Sequence, residues 1–289
     1  MPLKYLLKST FRFANTLAAT LGLRIEKLDS DFSIRPLDKF SRAVLAKELA
    51  TAYGAWFSRQ EMFDNRAGDV TPDEIQFFFD SWINSPFRKQ TGSSRFNNLL
   101  WLYLVSKRFA PDIIVDSGTF EGASAWALSL GSPSSKILSF DISLARLVLR
   151  IEGVEYFQHD WTKSEIAWPK KSRSLVYFDD HVDQAQRLLE AFDRNFSLAI
   201  FDDDYPVTSY YTMAPSDKVL PKIEFVLNEE LKDGTVLRWG NEKIKNEWTV
   251  NKKYLQDARL CIDKTERLPF TGLITGIHQT PYRLVKLKE

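Results

Sequence analysis

Apolar and polar positions follow two rhythms along this chain, and the change falls near residue 110. Before it the apolar residues recur at helical spacing. Leu3, Leu6, Leu7, Phe11, Phe13, Leu17, Leu21 and Leu23 form one such series, and Lys4, Lys8, Arg12 and Arg24 are the only charges among residues 3–25. A second series, Val44, Leu45, Leu49, Ala52, Trp56 and Phe57, predicts a helix between 41 and 63. Thr71-Pro-Asp-Glu74 is a helix start, with Thr71 as N-cap, Pro72 in the first turn and Glu74 closing the capping box. Ile75, Phe77, Phe78, Phe79 and Trp82 then supply a buried face, and a further helix is expected over 99–109. The segment 86–98 between them is polar, and its Arg88, Lys89 and Arg95 are open to two roles, a grip on an acidic group or plain surface.

After residue 110 the apolar residues come in short runs, at 113–115, 137–140, 154–157, 175–178, 198–201, 273–277 and 284–287. The first five alternate with connecting or helical segments, the signature of βαβ units and a parallel sheet. Residues 184–192 are the clearest of the helices. The last two runs lie close enough to pair as an antiparallel hairpin. The expected organisation is a basic amphipathic helix (1–30), a helical cap region (31–110) and an α/β core (111–289) that carries an insertion (204–270) with a helix near 216–232. The core is expected to be a Rossmann-like, mostly parallel sheet closed by that hairpin.

The chemistry sits where the runs end. Asp112-Ile-Ile-Val-Asp-Ser-Gly-Thr-Phe-Glu-Gly-Ala-Ser124 reads as a strand, a glycine turn and a helix N-terminus. Gly118 offers backbone angles closed to other residues and lets a ligand approach the main chain. The second run ends in Asp141, placed to accept the hydroxyls of a ribose. The fourth ends in Asp179-Asp180-His181 and the fifth in Asp202-Asp203-Asp204. Parallel strands bring these ends to one edge. So many carboxylates would repel one another, and a divalent cation relieves the conflict.

Composition changes this picture little. The 289 residues are 44% hydrophobic and 27% charged, ordinary for a globular protein. A net charge of +1 supplies no field for nucleic acid, so no nucleic-acid partner is expected. The single cysteine, Cys261, excludes an internal disulfide and a multi-cysteine zinc site and fits a reducing compartment, so a cytoplasmic location is expected. No run approaches the ~20 apolar residues of a membrane span. Residues 3–25 suit peripheral contact with an anionic membrane surface; packing on their own domain, or on a second subunit of a homo-oligomer, is the competing expectation.

The five runs, the acid–Gly–x–x–x–Gly turn, the acid ending the second run and the closing hairpin resemble the class I S-adenosylmethionine-dependent methyltransferases over residues 92–289. The two acidic strand ends are similar to those of metal-dependent sugar O-methyltransferases of antibiotic biosynthesis and of cephalosporin-hydroxylase-like proteins. This resemblance implies S-adenosylmethionine as cofactor, contacted by Asp116, Gly118, Thr119, Gly122, Ser124 and Asp141, with Asp160 near the adenine amino group and Trp161 stacked on the ring. It implies a divalent cation, Mg2+ by the oxygen-rich donors, on Asp179, Asp202 and Asp203, and a base at His181. This chain departs from the family in having histidine where the family has a carboxylate, and in offering three acids after the fifth strand, so the register there is open by one. The implied reaction is methyl transfer to a hydroxyl of a saccharide or glycosylated small molecule. Two alternatives stay open: a non-catalytic nucleoside- or glycan-binding protein, and a hydroxylase-type reaction at the same metal site. Helix caps are the bland role for the strand-end acids, and His278 is expected to be structural.

Overall fold

The computed structural model describes residues 38–63, 69–89, 94–165, 173–209, 219–240 and 245–288. The basic segment 3–25 therefore lies outside the described residues, as do parts of the loop 86–98 and the first residues expected as a helix near 216–232.

Three helices form the cap: α1 (Lys39–Phe57), α2 (Pro72–Asn84) and α3 (Phe96–Phe109). The capping box behaves as its residues dictate. Thr71 accepts from the Glu74 amide, and Pro72 fills the first turn. α3 is buried on nearly every side, as befits a helix lying between other layers. Tyr53, Trp56 and Phe57 of α1 close edge-on or tilted around Trp101 of α3. The Glu74 carboxylate takes both terminal nitrogens of Arg108, at 2.9 and 2.7 Å, and this buried pair ties α2 to α3.

The sheet contains β1 (Ile113–Ser117), β2 (Lys136–Phe140), β3 (Val154–Phe157), β4 (Ser174–Phe178), β5 (Leu198–Phe201), β8 (Ile262–Arg267) and β9 (Arg283–Leu287). Its order is β3-β2-β1-β4-β5-β9-β8. The first five strands are parallel, and β9 runs antiparallel to both β5 and β8. This is the Rossmann-like sheet with a closing antiparallel hairpin that the pattern predicts. Alternation along each strand divides the core. Ile114, Leu175, Tyr177 and Ile200 share one cluster with the cap helices. Val115, Leu138, Val176, Ala199 and Val285 face the other way, with α5 (Gln184–Asp193) and α7 (Lys252–Leu260). Helix α4 (Ala123–Gly131) follows the glycine turn. Between β5 and β8 lie α6 (Ile223–Leu227) and a separate hairpin, β6 (Val236–Gly240) with β7 (Lys245–Thr249).

One strand expectation is overturned. Residues 273–277 are not a strand: Gly272–Thr275 form a short helix, α8, stopped by Gly276 at φ +72°. The partner of β9 is Ile262–Arg267 instead. Ile-Asp-Lys-Thr-Glu-Arg carries four charged side chains because it is an edge strand, where charge blocks pairing with another chain. A search for apolar runs passes over such a strand. The short apolar run at 273–277 has no such guard, and a run of that length does not distinguish strand from helix. Among the described residues no helix is long and apolar enough to cross a membrane.

Candidate active site

The strand order reverses between β1 and β4, and ligands of open α/β sheets bind at such a point, beyond the C-terminal strand ends. A cavity of about 460 Å³ lies there. The turn after β1 builds one wall. The Gly118 and Thr119 amides both donate to the Phe140 carbonyl that ends β2. Phe120 sits at φ +44°, and its amide donates to Asp141 Oδ2 at 2.7 Å. The second oxygen of Asp141 accepts from the Ser143 amide at 2.9 Å. Asp141 thus fixes the glycine turn while still lining the cavity, and each oxygen keeps a lone pair for a ligand hydroxyl. Gly118 (φ +101°), Thr119 and Ser124 also line the cavity.

Three residues expected at the cofactor stand elsewhere. Gly122 starts α4 at φ +92° but faces Leu147 rather than the cavity. Asp116 is sealed under the turn with no exposed surface, and Ser139 donates to it at 2.6 Å. Trp161 does not offer a face to a ligand. It is fully buried, 5.7 Å from both Phe178 and Phe196, with the Arg194 guanidinium over its ring. The aromatic group at this corner of the cavity is His159, two residues earlier, packed against Phe140 and Phe157. Asp160 does line the cavity, but it is held by Arg187 and Thr162. Burial works against its charge; hydrogen bonds from Arg187 and Thr162 outweigh that and hold its carboxyl down to about 2.

Burial pushes the Asp116 carboxyl up to about 6, against the opposing bonds from Ser139 and Ser124. An unfolded Asp116 releases its proton near the ordinary value of 3.8, so between that pH and about 6 the folded protein holds the extra proton. Stability must then fall as pH rises through this window. Asp116→Asn removes the ionisation, and the variant is expected to gain on the wild type by on the order of 2–3 kcal/mol between pH 4 and 7. Urea melts of both proteins across that range check the slope, and a difference that stays flat with pH would refute it.

At the other end of the cavity the strand ends of β4 and β5 meet. Asp179, His181 and Asp203 each offer a ligand atom, all within 4.8 Å of one another. His181 Nδ1 stands 3.7 Å from Asp203 Oδ2. His181 (φ +54°) and Asp203 (φ +58°) both hold left-handed backbone, tolerated by Asp and His better than by most residues and common at functional sites. His181 is 52% exposed, open to an incoming group.

The neighbouring acids are held by other partners, although Asp180 also lines the cavity. Asp180 accepts from Ser117 at 2.6 Å and pairs with Arg187 at 2.8 Å. Asp204 is fully buried, pairs with Arg283 at 2.7 Å and caps the Glu224 amide. Asp202, expected as a metal ligand, is not in the cluster. Its oxygens take Thr280, the Asp203 amide and Tyr177. His181 stands in the cluster in its place. The change alters the donor set: two carboxylates with an imidazole nitrogen suit manganese, iron or zinc better than the all-oxygen preference of magnesium.

Sequence reasoning missed Arg187, which reaches Asp160, Asp180 and Glu190 from α5 and joins the ends of β3 and β4. An arginine on an amphipathic helix carries no signal of this role. Arg88 points to the Ile83 carbonyl at 2.9 Å, a helix-end bond rather than a ligand grip.

Among known proteins, no family model matches the chain, and no curated protein does. Solved structures to which it is similar include a cofactor-bound protein from MTB, at 8% identity over 83% of this chain and 98% of that one, TM-score 0.43. Another is an SAH-bound methyltransferase of Podospora anserina, at 13% identity over 84% and 97%, TM-score 0.39. A third is the O-methyltransferase TomG of Streptomyces achromogenes, involved in tomaymycin synthesis and in complex with SAM, at 10% identity over 84% and 99%, TM-score 0.41. Likenesses this distant add no detail to the site; strand order and register carry the fold on their own.

Proposed function

We propose that this chain transfers a methyl group from S-adenosylmethionine to a hydroxyl oxygen. The observation that carries the proposal is one continuous cavity with two chemically different ends. The glycine turn and Asp141 stand at one end, Asp179 and His181 at the other. The first end suits a nucleoside: backbone turn, ribose-facing acid and the aromatic corner at His159. The second suits proton removal. His181 takes the proton of the acceptor hydroxyl as its oxygen attacks, and the Asp203 carboxylate 3.7 Å away steadies the imidazolium that forms. The cofactor, when bound, supplies an electrophilic methyl on a sulfonium; the chain contributes orientation and a preset electrostatic environment. The acceptor class, a saccharide or glycosylated small molecule, follows from the resemblance of the two acidic strand ends.

A divalent ion is a second reading of the same trio, favoured by ligand atoms within 4.8 Å of one another. Asp179, His181 and Asp203 would hold it, and it would lower the pKa of an acceptor hydroxyl. One histidine nitrogen cannot both bind the ion and take the proton. Radiolabelled methyl transfer to a panel of glycosides, with manganese or with chelator, separates the two. Activity that survives chelation supports the histidine base, whereas activity that requires the ion supports the metal centre. No transfer to any hydroxyl acceptor under either condition would count against the function.

Asp141→Ala is expected to weaken S-adenosylmethionine binding by about 1.5–3 kcal/mol, the scale of a charge-assisted hydrogen bond lost. The loss includes freeing the Phe120 and Ser143 amides, which Asp141 now holds. Calorimetry on the folded variant measures it, and unchanged affinity would remove Asp141 from the site.

A further inference from the structure

Asp202 is surrounded by more bonds than a strand-end acid needs. Its Oδ1 accepts from the Asp203 amide at 2.6 Å and from Thr280 Oγ1 at 2.5 Å. Its Oδ2 accepts from Tyr177 OH at 3.3 Å, and Tyr177 OH meets Tyr282 OH at 2.9 Å. The carbonyl of the same residue accepts from Gln184 Nε2 at 2.6 Å. The peptide unit between Asp202 and Asp203 is therefore fixed at both ends: its carbonyl by a helix residue, its amide by the side chain just before it. Immediately after that peptide the backbone turns left-handed at Asp203. Such a conformation persists in a non-glycine residue only when its surroundings determine it.

We infer that Asp202 is a positioning residue, which locks the left-handed turn at Asp203 and so sets the Asp203 carboxylate against Asp179 and His181. The inference rests on the proposal that these three residues are the working cluster. It does not depend on whether they act with an ion or without one. Thr280, shortly before β9, belongs to the same device, because its hydroxyl donates to the same Asp202 Oδ1 that takes the Asp203 amide.

The test compares substitutions that differ only in what they leave for the Asp203 amide. Asp202→Asn keeps an oxygen that accepts both Oδ1 bonds, and its amide can donate to Tyr177. Asp202→Ala removes them all, and Thr280→Val removes one anchor. Asp203→Asn is the reference for a direct cluster residue. The first readout is the position of the His181 ring resonances in the metal-free full chain at one pH. The chain has three histidines, so His181→Gln assigns them. The second is kcat/KM for methyl transfer. We expect Asp202→Asn to leave the His181 signals in place and kcat/KM within about threefold, while Asp202→Ala moves those signals as Asp203→Asn does and lowers kcat/KM about a hundredfold, the scale of a small misplacement of a catalytic group. Thr280→Val should shift the signals in the same direction by less, and it answers the question if Asp202→Ala fails to fold. Folded Asp202→Ala or Thr280→Val with His181 signals at wild-type positions would overturn the inference. So would Asp202→Asn as damaging as Asp203→Asn, since that is the behaviour of a direct ligand. If the wild type transfers no methyl group, the proposed function fails, and the resonance comparison still decides the role of Asp202.

Discussion

Gly118→Ala is expected to remove about 3–5 kcal/mol of stability, enough to threaten folding altogether. Two costs combine at this residue. Its φ of +101° is open to glycine and rarely adopted by an L side chain. The added Cβ would also fall 2.5 Å from the Asp179 carbonyl oxygen, 2.6 Å from its carbon and 2.9 Å from the Asp180 nitrogen. All three are backbone atoms at the end of β4, so no rotamer relieves the clash. Either the turn lifts away from Phe140 or the end of β4 moves and carries Asp179 and His181 with it. Gly122→Ala makes the contrast. Its φ of +92° is strained as well, but the nearest atom is Leu147 Cδ1 at 2.8 Å, the end of a flexible side chain. A smaller loss is expected there. Denaturant midpoints of the two variants rank them, and a Gly118→Ala protein within about 1 kcal/mol of wild type would mean the turn is not packed on β4 as described.

The second large effect is catalytic. His181→Asn is expected to lower turnover about 10²- to 10⁴-fold, the usual worth of a positioned general base. Asparagine is the better replacement because it tolerates the left-handed backbone that His181 holds. The side chain is half exposed and outside the core, so stability should change little. S-adenosylmethionine affinity should stay within about threefold, since the proposed role of the residue is on the acceptor. The wild-type rate should rise from acid towards neutral pH as the imidazole loses its proton, and that acid limb should vanish in the variant. Steady-state kinetics over pH 5–8 measure both. A variant with unchanged turnover would exclude His181 as the base.

The parts of this fold that the sequence made legible are those in which one residue type has one physical use. The cap at Thr71, the five parallel runs and the glycine turn were open to that kind of reading. The edge strand 262–267 was not, because its charges serve to repel neighbouring chains and erase the apolar signal. The site divides in the same way. Strand ends can be located from the runs, but which of several adjacent acids faces the cavity depends on the turn that follows. Asp179, Asp180 and His181 all line it, but Asp180 is already held by Ser117 and Arg187. His181 is left-handed, so the chain is not extended there and no alternation of residue types marks which acid is already paired. Asp202 and Asp203 differ only through a left-handed residue, which no pattern of residue types announces. Trp161 illustrates the opposite error: a large aromatic beside a ligand corner drew a binding role, whereas packing against Phe178 and Phe196 had already used both its area and its position.

The proposed function rests on S-adenosylmethionine binding in the cavity at the β1–β4 reversal. Calorimetric titration of the full chain with that compound, once with manganese and once with chelator, tests it most directly. The account predicts saturable binding to one site in both buffers, with a Kd on the order of 1–100 μM, abolished or weakened in Asp141→Ala. No heat of binding in either buffer at about millimolar ligand, with the chain folded, would contradict it.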